Sequence, residues 1–157
     1  MKRFSSMRCS IAVVTFAVAL ACTTGTPYSQ VAATMPAMAP GQGRLVIYMS
    51  GNEGGWWPAL VVDDQALGKL RPGTFFYVDR AAGQHQIGVP ADLHLAGFGN
   101  QGATTPVTVL VQPGQIAYVQ VTVVATPGMI TAVLTPEDTA DAQRDLSGLD
   151  LVPPAPQ

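Results

Sequence analysis

Gln112-Pro113-Gly114-Gln115-Ile116-Ala117-Tyr118-Val119-Gln120-Val121-Thr122-Val123 decides the fold class. Pro followed by Gly sets a tight turn, because Pro fixes φ at the first central position and Gly supplies positive φ at the second. Beyond the turn, Ala117, Val119, Val121 and Val123 alternate with Tyr118, Gln120 and Thr122. Successive side chains of a strand point to opposite faces, so this period of two predicts one buried and one wetter face. The same punctuation recurs on both sides. Downstream, Thr126-Pro127-Gly128 leads into Met129-Ile130-Thr131-Ala132-Val133-Leu134. Upstream lie Val107–Val111, then His85-Gln86-Ile87-Gly88-Val89, with His85, Ile87 and Val89 on one face. Arg71-Pro72-Gly73-Thr74 is another Pro-Gly turn, feeding Phe75–Val78, and Asp79–Gly83 turns the chain again. Ala59–Val62 and Ala66–Leu70 flank Asp63-Asp64-Gln65, a hairpin signal. Arg44–Met49 opens the series with Leu45, Ile47 and Met49 on one face.

Short strands with Gly/Pro punctuation at this spacing predict an all-β fold, a small antiparallel β-sandwich over 42–135. No long helical pattern separates the strands, which disfavours a parallel α/β sheet. Residues 90–106 read as a loop. Residues 22–41 carry Pro27, Pro36 and Pro40 with almost no charge, and predict a flexible tether. A short helix is expected over 136–148, with Thr135 as cap, Pro136 in the first turn, Glu137 and Asp138 at the positive dipole end, and Gly148 as the stop. Residues 149–157, ending Pro153-Pro154-Ala155-Pro156-Gln157, predict a disordered tail.

The chain opens with cationic Met1–Arg8, an apolar run over Ile11–Leu20 and small residues at the close, the order of a secretory leader over 1–21. The run is too short for a spanning helix, which needs roughly 20 residues. Ala19-Leu20-Ala21-Cys22 resembles a lipobox, with Ala19 where Leu is usual; the same residues also fit Ala-x-Ala cleavage, which would release a soluble periplasmic or secreted protein. Cys22 favours lipidation: its only companion, Cys9, leaves with the leader, so no intrachain disulfide can form. Thr23 after the Cys, with no Asp there, points to the outer membrane under Gram-negative sorting. After cleavage five cations remain (Arg44, Lys69, Arg71, Arg80, Arg144) against ten acids. That balance leaves no basic patch to neutralise phosphates and argues against nucleic acid.

Candidate chemistry is sparse. Gly97-Phe98-Gly99-Asn100-Gln101-Gly102 matches a dinucleotide fingerprint in letters, but Thr104-Thr105-Pro106 and a strand follow where a helix is needed. His85 and His94 match no metal-ligand spacing with Asp63, Asp64, Asp79 or Asp92, and His85 is expected to hydrogen-bond across a turn. Adjacent Asp63-Asp64 could bind Ca²⁺, but Asp in a hairpin bonds its own backbone. Gly-x-Ser-x-Gly is missing, so no catalytic residues, metal or cofactor are assigned. Trp56-Trp57 stands out: strand neighbours face opposite sides, so one Trp is expected inside and the other available to a sugar, a partner or a membrane interface.

Val61-Val62-Asp63-Asp64-Gln65-x-Leu67-Gly68-x-Leu70-x-Pro72-Gly73-Thr74-Phe75-Phe76-Tyr77-Val78, together with Gly41-Gln42-Gly43-Arg44-Leu45-Val46-Ile47-Tyr48, Ala82-Gly83-Gln84-His85 and Gly114-Gln115-Ile116-Ala117-Tyr118-Val119, resembles the bacterial domain-of-unknown-function family 2846 over roughly residues 41–134. Two positions depart from its pattern, Ala82 for Pro and Asp64 for Gly. The resemblance implies an exported, often lipidated protein with a prealbumin-like or immunoglobulin-like sandwich, and it implies no activity. The functional expectation is a non-catalytic envelope lipoprotein, held to the membrane by lipid on Cys22, presenting the sandwich to an unknown envelope protein. The alternative is a glycan- or peptidoglycan-binding module using Trp56, Trp57 and the 90–106 loop.

Overall fold

Apolar side chains on both faces make Gln42–Met49 (β2) the central strand. Leu45, Ile47 and Met49 point one way and Val46 and Tyr48 the other, all with 0% exposure. Such a strand must lie inside a sheet that is covered on both sides. The computed structural model describes residues 25–51, 56–90, 104–127 and 129–152. In it β2 pairs antiparallel with Thr74–Ala81 (β5) and parallel with Ile116–Thr126 (β8). Met129–Glu137 (β9) closes one edge of this sheet antiparallel to β8. At the other edge Asp150–Leu151 (β10) runs parallel to β5, and Thr26–Pro27 (β1) antiparallel to β10, giving the order β1-β10-β5-β2-β8-β9. A second sheet holds Ala59–Val62 (β3), Gln65–Lys69 (β4), Gly83–Gly88 (β6) and Val107–Val111 (β7) in the order β4-β3-β6-β7, all antiparallel.

The two sheets pack face to face over a core that includes Leu45, Ile47, Trp56, Leu60, Phe76 and Val119. The clean alternation of β8 is realised: Val119, Val121 and Val123 enter this core while Thr122 is exposed. Gly43 lets the sheets close up, since a Cβ there would overlap the Gln112 carbonyl oxygen and the Val111 side chain. The all-β sandwich is therefore the fold, with two parallel pairings inside the six-stranded sheet. The outer face of that sheet is covered by two short helices, Tyr28–Thr34 (α1) and Thr139–Leu146 (α2), which bury Val31, Val46, Tyr48, Phe75, Tyr118, Ala142 and Leu146.

Three expectations about the chain ends are corrected. The tether expected over 22–41 is not structureless in its described part. Thr26 and Pro27 pair with β10, Tyr28 meets Phe75 edge-on at 5.3 Å, and Val31 is 5% exposed. Pro27 does not interrupt α1, because it stands before the first turn, where its missing N–H forfeits no helical bond. The helix expected over 136–148 begins later. Thr135 and Pro136 stay in β9 opposite Gln120 and Val119, and Asp138 is the cap, accepting from the Ala140 and Asp141 N–H groups. Pro136 is tolerated because β9 is an edge strand. The tail expected over 149–157 is ordered as far as described: the Asp150 N–H donates to the Gly73 carbonyl and the Val152 N–H to that of Phe75. Residues 153–157, like the leader with Cys22 and the loop segment with His94, Asp92 and the Gly-rich run, lie outside the described residues.

Candidate functional site

Three places gather polar or exposed side chains. The first is the hairpin clamp around His85. A two-residue turn between β3 and β4 puts Asp63 (φ 49°) and Asp64 (φ 63°) in the left-handed region, the geometry that favours Asn, Asp and Gly in tight hairpins. His85 Nδ1 lies 2.6 Å from Asp63 Oδ2, and Nε2 lies 2.7 Å from the Ala81 carbonyl oxygen. A carbonyl only accepts, and an ionised carboxylate only accepts, so both ring nitrogens donate and the geometry selects the imidazolium. Burial works against that charge, but the two acceptors outweigh it and hold the His85 pKa above its usual value. His85 in turn holds the Asp63 carboxyl below its usual range, helped by the Gln86 N–H at 2.9 Å. The expected turn-bridging role of His85 is thus what its geometry provides.

The second place is the chain around Trp57 and Arg71, which flanks β3 and β4. Trp56 and Trp57 lie just before β3, outside any strand, and still divide: Trp56 is 6% exposed in the core and Trp57 46% exposed. The Arg71 guanidinium lies 5.0 Å above the Trp57 ring, a cation–π contact. The segment is pinned by the Leu70 N–H on the Pro58 carbonyl and by Thr74 Oγ1 donating to the Arg71 carbonyl at 2.7 Å. Lys69 and Arg71 are exposed, and among the described residues neither has a carboxylate within ion-pair reach. Arg44, by contrast, is 3% exposed, forks onto Asp79 at 2.6 and 2.8 Å, and donates to the Pro36 carbonyl. The Asp79 hydrogen bonds raise its pKa still further.

The third place, which the sequence reading did not single out, is the edge where β7 meets β8 and β9. Leu110 on β7 is 59% exposed, Val124 on β8 44% and Val133 on β9 45%. Two grooves run along this edge. One of about 340 Å³ lies between Thr104–Val107 and Thr131–Leu134, and one of about 260 Å³ between Val109–Gln112 and Pro136–Glu137. The Thr104 hydroxyl is buried beside the first groove and has no hydrogen-bond partner among the described residues. A signal existed: Val107-Thr108-Val109-Leu110-Val111 puts Leu110 on the face opposite its Val neighbours, where an alternating strand would carry a polar residue. Among the described residues no three His, Cys, Asp or Glu gather as metal ligands, and no helix is long and apolar enough to cross a membrane.

No family model, curated protein or solved structure matches this chain.

Proposed function

We propose that this chain is a non-catalytic envelope lipoprotein, anchored through lipid on Cys22, whose sandwich presents its β7–β9 edge to a protein partner. The observation that carries this reading is that exposed Val133 lines one groove of that edge and exposed Leu110 lines the other. Large apolar side chains exposed along a groove favour partner contact. The resemblance to family 2846 and the leader-like residues 1–21 support export of the same domain. His85 and Asp63 are occupied in holding a turn, which favours a structural over an enzymatic role for them.

A photo-crosslinking residue at position 110 in the cell is expected to give an adduct of one defined mass. The adduct should disappear with Val133→Glu, while a probe at exposed Arg144 gives none. Absence of the adduct at 110, or equal adducts at both positions, would sink the reading. The glycan alternative rests on Trp57, because Trp56 is in the core. A saturable change in Trp fluorescence with cell-wall fragments, lost in Trp57→Ala, would favour it instead.

A further inference from the structure

We infer that the edge carrying Trp57, Arg71 and Lys69, joined to β10 through the Gly73 turn, is a membrane-docking face that lies against the headgroups of an anionic lipid surface. The inference rests on the lipid anchor at Cys22 and adds to it an orientation and a contact.

A domain on a long tether samples all orientations, whereas a domain on a short one is constrained by where its chain emerges. Here the described fold begins at Gly25, three residues after Cys22. Three extended residues reach about 10 Å. A lipid on Cys22 therefore holds Gly25 within about that distance of the headgroup layer. Gly25 is packed against Asp150: a Cβ at position 25 would lie 2.7 Å from the Asp150 Cβ. The Asp150 N–H donates to the Gly73 carbonyl, in the same turn as Arg71. Packing of Gly25 on Asp150, the Asp150–Gly73 hydrogen bond and the Arg71–Trp57 contact thus link Gly25 to Trp57.

The chemistry of this edge suits a bilayer interface. Trp combines an apolar body with a polar N–H and is enriched at headgroup depth. Arg71 and Lys69 are the exposed cations beside it, and juxtamembrane Lys and Arg are drawn to anionic headgroups. Asp150 is the acidic residue bonded to the Gly73 turn, and Asp63 and Asp64 stand at the other end of the β3–β4 hairpin. Asp150 is half-buried, with its backbone committed to the sheet. The β7–β9 edge at the other side of both sheets then points away from the membrane, which leaves Leu110 and Val133 free for a partner.

The test uses the chain from Cys22 onward, which contains every described element. Cys22 is its single thiol, so a maleimide lipid can couple the domain to vesicles whether or not cells lipidate it. The vesicles are phosphatidylglycerol with phosphatidylcholine, carrying bromine on the acyl chains as a quencher. The expected result is quenching of Trp emission that is lost in Trp57→Phe, where only core Trp56 still emits. Lys69→Glu with Arg71→Glu should reduce the quenching to its level in purely zwitterionic vesicles. Unquenched emission from the coupled wild type would overturn the docking face, even if intact mass of the native protein shows a lipid on Cys22. An unmodified native mass with full quenching in coupled vesicles would instead remove the anchor and leave the face standing.

Discussion

The two faces of the six-stranded sheet are built by different chemistry. The inner face is apolar almost throughout: Leu45, Ile47, Phe76, Val119 and Val121 meet the second sheet. The outer face of the same strands carries Arg44, Tyr48, Tyr118 and Gln120 between its apolar residues. Each of these polar groups finds a partner. Arg44 holds Asp79 and stacks on Tyr77 at 5.0 Å, Tyr48 donates to Glu137 Oε2 at 3.0 Å, and Gln120 donates to Asp145 Oδ2 at 3.0 Å. Burial and the Tyr118 hydroxyl push the Tyr28 pKa up to about 12, and burial, then Glu137, push Tyr48 up as well. An apolar face accepts any complementary apolar layer, whereas a polar buried face accepts only a layer that satisfies its hydrogen bonds. The helices and chain ends supply that layer here, so the outer face specifies which segments cover it.

The largest effect is expected where the inner core is emptied. Phe76→Ala should destabilise by about 3–5 kcal/mol in urea titration, because the side chain is fully buried and the sheets cannot collapse around the void. If Phe75→Ala, on the outer face, costs clearly more, the ranking of the two faces is reversed. Next comes the outer ion pair. Asp79→Ala leaves the Arg44 charge buried and should cost about 2–3 kcal/mol, below the full penalty of a broken buried pair because Asp79 is partly exposed. Arg44→Met with Asp79→Leu should recover most of that loss, since an apolar pair also fills the site. A smaller effect, about 1 kcal/mol, is expected for Tyr48→Phe, which removes one hydrogen bond to Glu137.

The smallest effect tests the rim of the second sheet through pH. His85 has its folded pKa raised, so its stabilising contribution is complete below the usual 6.5 and is lost as pH rises through the raised value. Asp63 has its folded pKa lowered, so its contribution is present above the usual 3.8 and is lost as pH falls through the lowered value. Together they give a plateau between those usual values. The loss on the alkaline side should be only about 0.5–1 kcal/mol, because Asp63 is largely solvated. His85→Gln should flatten that limb of the stability curve measured by urea midpoint. An alkaline limb unchanged by the substitution would remove His85 as its cause.

The limits of sequence reading follow the same division. Pro-Gly turns and the period of two in β8 are local properties, encoded within a few residues, and they determined the all-β class, the turns and the inner face. The Trp56-Trp57 split matches the expectation but not its reason, because the pair lies in the segment before β3 rather than in a strand. His85 bridging a turn was legible because Asp and His flank closely spaced hairpins. The outer face was not legible. Its partners are separated by 35 residues for Arg44 and Asp79, 89 for Tyr48 and Glu137, and 25 for Gln120 and Asp145. The same cause misplaced the chain ends. Thr26–Thr34 and Asp150–Val152 have too little local pattern to predict order; pairing with β5 and burial of Val31 against the sheet supply it. Tertiary structure alone therefore decided that the segment from Gly25 onward is part of the domain rather than a spacer, and that β4 and β7 stand at opposite edges of the second sheet. Strand pairing across distant residues fixes both, and no local window contains that information.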